Sequence, residues 1–257
     1  MMSHEIRTPM NGVMAMAELL DQTELSEDQR GISALIRSSA AALLTIINDI
    51  LDFSKIEAGK LDIESTPFSI VDVVEGAGAL VCERADDKGI EIAVVIDPAT
   101  PEWVRCDPSR IRQVLINLFG NSVKFTDEGG VTVRVAPTGA DMIRFEVIDT
   151  GIGLTPEQQG RLFKAFEQAD ISTSRRYGGA GLGLSISQRL CALMHGRIGA
   201  LSEIGKGSTF WIELPLPLAT VDSTDSIDIS DAKVFAVGFR GGVREGRGCY
   251  SGGGKHC

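Results

Sequence analysis

Positive charge is scarce in this 257-residue chain: 25 lysines and arginines stand against 35 aspartates and glutamates, for a formal net charge of −10. That balance excludes a broad electrostatic grip on nucleic acid or on an anionic membrane as the main business of the protein. Cysteine is thin as well. Cys82, Cys106, Cys191, Cys249 and Cys257 are scattered and odd in number, which excludes a disulfide framework and points to a reducing, cytoplasmic compartment. No run of roughly 18 apolar residues offers a membrane span, and no charged start with an apolar middle offers a signal peptide. A membrane anchor of the natural protein would lie outside this chain. Two nucleotide signatures are missing too. No Lys-Ser or Lys-Thr follows the glycines of GGAGLGL, so there is no Walker loop, and the spacing and the polar EQADISTSRRYGG before them fit no dinucleotide fingerprint.

What is present is enough apolar material, 43% of the residues, for one or two packed domains. From Ser26 to about Phe53, Ile32, Ile36, Leu43, Ile46, Ile50 and Phe53 recur at steps of three and four, with Ser39 the polar member of the stripe. That spacing predicts a coiled-coil or four-helix-bundle helix. Met10, Val13, Ala17 and Leu20 make a matching stripe before it, and Ser26 ahead of Glu27 and Asp28 reads as a helix cap. The two helices form an antiparallel hairpin. One hairpin cannot cover its own apolar stripes, so a homodimer that completes a four-helix bundle is the economical solution; packing on the following domain is the rival.

The chain opens MMSHEIRTPMN, with His4 off the apolar stripe and Pro9 five residues on. Pro9 deletes the amide that would bond Glu5, which loosens or bends the turn carrying His4. Glu5 is placed to fix one imidazole nitrogen and leave the other as a nucleophile, and Thr8 shares the helical face of His4. An exposed terminal histidine alone would carry no function.

From about 67 to 217 the pattern changes. EIAVVI (91–96), VTVRV (131–135), IRFEVI (143–148) and TFWIEL (209–214) read as strands, with SRIRQVLINLFGNSVKF and LSISQRLCALM as helices, giving an α+β layer with helices on one face of a sheet. Asp107 is a good cap and Pro108 a good first helical residue. Ile111, Leu115, Leu118 and Phe125 supply a core side, opposite a polar strip of Arg110, Gln113, Asn117, Asn121 and Lys124. Solvent exposure explains such a strip, yet two asparagines are poor helix formers, and amide oxygens and a lysine also suit magnesium and phosphate. DTGIG (149–153) follows a strand: it is a simple turn, or Asp149 accepts from an exocyclic amine while Gly151 and Gly153 let a flat ring approach. Gly179, Gly181 and Gly183 run into a helix and suit the presentation of backbone amides to phosphate.

Taken in order, SHEIRTP, NLFGNSVKFT, DTGIG, FKAF, GGAGLGL and GKGST resemble the motif set of the histidine kinases of two-component signalling, over about residues 1 to 217. The resemblance implies a helical-hairpin dimerisation and phosphoacceptor domain (1–60), an α/β two-layer sandwich ATP-binding domain (67–217), and a linker and tail (218–257). It implies that His4 attacks the γ-phosphate of ATP, that Glu5 assists proton removal, and that Thr8 stands where phosphatase-active members position a water. Asn121 matches a Mg2+ ligand, Asn117 lies near metal and phosphates, and Lys124 contacts phosphate. Asp149 reads the adenine amine, Gly151 and Gly153 border the ring, and Gly179, Gly181 and Gly183 close the phosphate end. Phe163 and Phe166 lead into a mobile lid, about 155–180, from which Arg175 or Arg176 reaches the γ-phosphate; both phenylalanines also suit ordinary packing. The implied partner is a receiver domain, in cis or in trans. Gyrase-type, mismatch-repair and chaperone ATPases share the fold but usually carry a glutamate where Asn117 stands, and an amide is no general base. Hydrolysis is the rival activity, and a dimeric pseudokinase scaffold the rival class. Two departures stand out: only three residues precede His4, as in a truncated chain, and DAKVFAVGF resembles the first strand of a receiver without its acidic pair. Cys249, His256 and Cys257 lie in a glycine-rich tail, where metal binding is the lesser reading.

Overall fold

The structure is a computed structural model that describes residues 2–139, 141–167 and 181–219, with side chains from Ile6 onward, Arg7 excepted. It divides into two compact units, Met1–Asp62 with Leu162–Ile186 and Ile63–Arg161 with Ser187 onward.

The first unit is built on a hairpin of α1 (Met2–Asp21) and α2 (Glu27–Glu57). The missing amide at Pro9 does not break α1, which runs through it. The start of α2 is fixed by a reciprocal cap: Gln29 N donates to Ser26 Oγ at 3.2 Å while Ser26 N donates to Gln29 Oε1 at 3.0 Å. Small residues form the inner seam. Ala17, Ser33 and Ala40 are buried, and the Ser33 hydroxyl donates to the Ala17 carbonyl at 3.3 Å. Arg37 pairs with Asp21 across the hairpin at 2.9 Å. Of the predicted stripe, Ala17 lies on that seam and Met10, Ile46 and Phe53 are half-buried. Val13, Leu20, Ile32, Ile36, Leu43 and Ile50 stay exposed, Ile32 by 58%. Among the described residues α2 is also the one helix long and apolar enough, by composition, to cross a membrane, against the expectation that no such run exists.

Asp49 lies half-buried on α2, and burial, then the neighbouring Asp52 charge, pushes its carboxyl up to about 6 from an ordinary 3.8. The folded hairpin thus holds a proton that the unfolded chain releases, so this group's contribution to stability is fully present below about pH 4 and is lost as pH rises through about 6. Asp49→Asn should raise the melting temperature at roughly pH 7.5 and leave it nearly unchanged at roughly pH 4. Equal shifts at both, in paired thermal denaturations, would remove the buried charge as the cause.

The second unit is a sheet with helices against one face. β2 (Glu91–Ile96), β4 (Gly130–Pro137), β5 (Met142–Asp149), β7 (Gly207–Pro215) and β6 (Arg197–Glu203) lie side by side in that order, β2 and β4 parallel and the rest antiparallel. A separate ribbon pairs β1 (Thr66–Ser69) with β3 (Trp103–Cys106). The helices are α3 (Ile70–Lys88), α4 (Pro108–Phe125), the short α5 (Pro156–Gln159) and α6 (Gly183–Leu193), which runs on from the first unit. Burial alternates along β5: Ile143, Phe145 and Val147 are buried, as are Val114, Leu115, Leu118 and Phe119 of α4 and Val74 and Ala77 of α3. Each large side chain so buried contributes about 1.5–3 kcal/mol. The other face is polar: Arg144 meets Glu146 at 2.9 Å and Glu213 at 3.2 Å, and Glu213 takes Arg197 at 2.7 Å. The sequence anticipates β2, β4, β5, β7, α4 and α6, but not β1, β3, β6 or α3.

Candidate active site

Everything on α4 follows from where it starts. Asp107 Oδ1 accepts from Ser109 N at 3.0 Å and Arg110 N at 3.1 Å, Pro108 occupies the first turn, and Asp107 Oδ2 takes Glu64 N at 3.2 Å. With that register fixed, Ile111, Leu115 and Leu118 turn inward, and Arg110, Gln113, Asn117, Asn121 and Lys124 fall together on a half-buried face. Phe125 departs from the expected core side; it is half-buried, with the Lys124 ammonium 4.9 Å from its ring centroid. Burial lowers the Lys124 ammonium below its ordinary value. Arg110 donates to Gln113 Oε1 at 2.9 Å, Asn117 Nδ2 to Ser187 Oγ at 2.9 Å, and Asn121 Nδ2 to Asn117 Oδ1 at 3.5 Å. The two amides are one turn apart, and both present neutral oxygens of the kind a hard divalent cation takes. Among the described residues no donor reaches Asn121 Oδ1, so the donor set fits magnesium.

Asp149 ends β5 with only 4% of its surface exposed. Its Oδ1 accepts from Gly151 N at 2.9 Å and Ser208 N at 3.0 Å, and its Oδ2 takes the Ser122 hydroxyl at 3.3 Å. Burial raises the carboxyl above its ordinary value against the pull of these three bonds. Two backbone amides hold the group in place, and Oδ2 keeps acceptor capacity for a further donor such as an exocyclic amine.

Both glycines of DTGIG have a nearer reason than room for a flat ring. A Cβ on Gly151 would overlap the Phe125 carbonyl at the end of α4, and one on Gly153, whose φ is 70°, would overlap the Glu203 carbonyl at the end of β6. The loop is pressed onto its neighbours, and Ser202 tightens it: its hydroxyl takes Leu154 N at 2.8 Å, donates to the Gly207 carbonyl at 2.9 Å, and lies 2.9 Å from Ser208 Oγ.

The remaining predicted residues divide three ways. Gly181, with φ 67°, and Gly183 precede and open α6 in the first unit. There Phe166, also at positive φ, meets the ring of Phe53 edge to face with centroids 5.8 Å apart, a packing contact of the kind the sequence allows. Arg175, Arg176 and Gly179 lie outside the described residues, as do Cys249, His256, Cys257 and the receiver-like DAKVFAVGF. His4 and Glu5 stand in the first turns of α1, where their side chains are not described, and Thr8 is exposed one turn on.

Ser122, Ser187 and Ser208 are missed by the sequence reading. The usable signal was Ser122, a polar residue at a buried position on the core side of α4, which requires a partner.

Residues 106–218 match the family described as histidine kinase-, DNA gyrase B- and HSP90-like ATPase, and residues 1–59 match the His Kinase A (phospho-acceptor) domain. The chain is 41% identical over 237 residues to the hybrid signal transduction histidine kinase B of Dictyostelium discoideum, covering 91% of this chain and 12% of that protein. With the sensor protein GacS of Pseudomonas syringae pv. syringae the identity is 45% over 232 residues, covering 89% of this chain and 26% of the relative. The crystal structure of full-length ShkA in complex with AMPPNP superposes with a TM-score of 0.72 at 40% identity, covering 86% of this chain and 46% of that one. In each case the chain spans less than half of the protein it matches.

Proposed function

For a chain that belongs to the histidine kinases of two-component signalling, we propose autophosphorylation of His4 by ATP followed by phosphotransfer to an aspartate of a receiver domain. The observation that carries kinase over hydrolase is the amide of Asn117, tied to Ser187 at 2.9 Å. It stands where an ATPase of this fold needs a carboxylate to activate water, and an amide takes no proton. Bound triphosphate is thereby kept for another nucleophile.

In this reading an imidazole nitrogen of His4 forms a bond to the γ-phosphorus as the bond to the β-phosphate bridging oxygen breaks. ADP leaves, and Glu5 takes the imidazole proton. Asp149 accepts the adenine amine, Lys124 meets phosphate, and Gly151 and Gly153 shape the wall beside the ring. Asn121 and Asn117 hold magnesium, which when bound screens the triphosphate charge and polarises its oxygens. Gly179, Gly181 and Gly183 serve the phosphate end, with Arg175 or Arg176 reaching the γ-phosphate. Residues 1–60 are the dimerisation and phosphoacceptor domain, and 67–217 the ATP-binding domain. Exposed Val13, Leu20, Ile32, Ile36, Leu43 and Ile50 supply the face that a second copy covers, completing a four-helix bundle.

Incubation with labelled ATP and magnesium should leave an acid-labile, base-stable label on the protein. Steady phosphate release without labelling would mean a plain ATPase, and an intact dimer without nucleotide binding would mean a scaffold.

A further inference from the structure

We propose that Lys88 is a positioning residue for the nucleotide site, acting through the C-terminal end of α4; the inference rests on the reading of that helix as the ATP-binding one. Helices commonly close with a glycine in the left-handed conformation, whose amides turn back onto the last carbonyls. α4 has no such closure. Its capping residue, Thr126, is extended at φ −105° and ψ 121°, so the final carbonyls need donors from elsewhere. Each of the last five finds one. Ser122 O takes the Thr126 hydroxyl at 2.7 Å, and Phe125 O takes Ile152 N at 3.3 Å. The Lys88 ammonium supplies Val123 O at 2.9 Å, Lys124 O at 2.8 Å and Thr126 O at 3.0 Å, with Asp127 Oδ1 at 3.5 Å beside it.

An ammonium has three protons, and three carbonyls of one helix end receive it. Its charge also sits where the helix dipole is negative. Lys88 is itself held, as the last residue of α3, by the left-handed Gly89 that closes that helix. The turn it fastens carries Asn121 and Lys124, and the Phe125 carbonyl within it anchors the loop after Asp149 through Ile152. The metal and phosphate contacts therefore sit on one fastened turn, and the loop beside the adenine contact is tied to it through Ile152. Without the ammonium, the carbonyls of Val123, Lys124 and Thr126 lose their donor, and the first side chains to lose their aim are Lys124 and Asn121.

The test uses the full chain. Lys88→Met keeps the length of the apolar stem and removes the donors, whereas Lys88→Arg keeps charge and donors. Calorimetric affinity for magnesium with a non-hydrolysable ATP analogue should fall about tenfold in Lys88→Met, and Lys88→Arg should restore most of it. Val81→Ala, a cavity in the buried part of α3, serves as the stability control and should lower the denaturation midpoint with affinity intact. Normal affinity in Lys88→Met, or equal loss in Val81→Ala, would make Lys88 a structural cap only and overturn the proposal. Asn121→Ala separates the two levels: normal affinity there overturns the nucleotide reading and this inference together, whereas weakened affinity there with normal Lys88→Met overturns this inference alone.

Discussion

His4→Ala should abolish the acid-labile label entirely while leaving affinity for nucleotide unchanged. The bond to phosphorus needs a nitrogen lone pair, and alanine offers none; no neighbour substitutes, because Glu5 would form an acyl phosphate, which base cleaves. The chain has only two other histidines, His195 and His256, so residual label mapped to either would retire His4 as the acceptor. Thr8→Ala is the informative companion. It keeps imidazole and acid in place and removes one hydroxyl on the same face, so labelling should persist. Dephosphorylation of a phosphorylated receiver should slow, since a water held by one bond fewer spends less time in line with phosphorus. Equal loss of both rates would mean that Thr8 supports the helix ahead of Pro9 instead.

Asp149→Asn should weaken ATP affinity at least about tenfold, from the loss of a hydrogen bond to a charged group at about 1.5–3 kcal/mol. The geometry sharpens the expectation. Gly151 N and Ser208 N both point at Oδ1, so an asparagine must give its oxygen to them and turn its NH2 toward the Ser122 side. There it would oppose the adenine amine, donor against donor. The variant should stay folded, because burial already disfavours the charged carboxyl and a neutral amide relieves that penalty. A melting temperature unchanged or raised, together with weakened affinity, is the expected pair. Unchanged affinity would remove Asp149 from the site.

Elements written by local chemistry were legible in the sequence. Asp107 with Pro108 starts α4, Ser26 starts α2, and the branched runs around 91–96, 131–135, 143–148 and 209–214 became β2, β4, β5 and β7. α3 was not legible, since glycines and β-branched residues argue against a helix, and what holds it is the burial of Val73, Val74, Ala77 and Val81. β6 lacked alternation, and β1 and β3 are four residues each. In the hairpin the apolar stripe was readable, but the small residues that join the two helices were not, Ala17 apart. Small Ala17, Ser33 and Ala40 let the helices approach closely and leave the large residues outside. At the site, the residues proposed for nucleotide stood out by type. Those that aim them, Ser122, Ser187 and Lys88, act across tens of positions, and only Ser122, polar on the core side of α4, carries a local mark.

The order of strands has a consequence for how this architecture tolerates change. β5 leaves the sheet at Asp149, and β7 enters it at Ser208, the register partner of Asp149. Between them the chain returns to the sheet once, as β6 (Arg197–Glu203) beside β7, so the stretch from Gly151 to Gly196 is an excursion whose two ends are held by one sheet. The entropy of closing such a loop grows only with the logarithm of its length, about 0.6 kcal/mol for each doubling. A change of length between α5 and α6 therefore adds little to that closure cost, and it is a quantity that selection or design can vary almost independently of the stability of β5, β6 and β7.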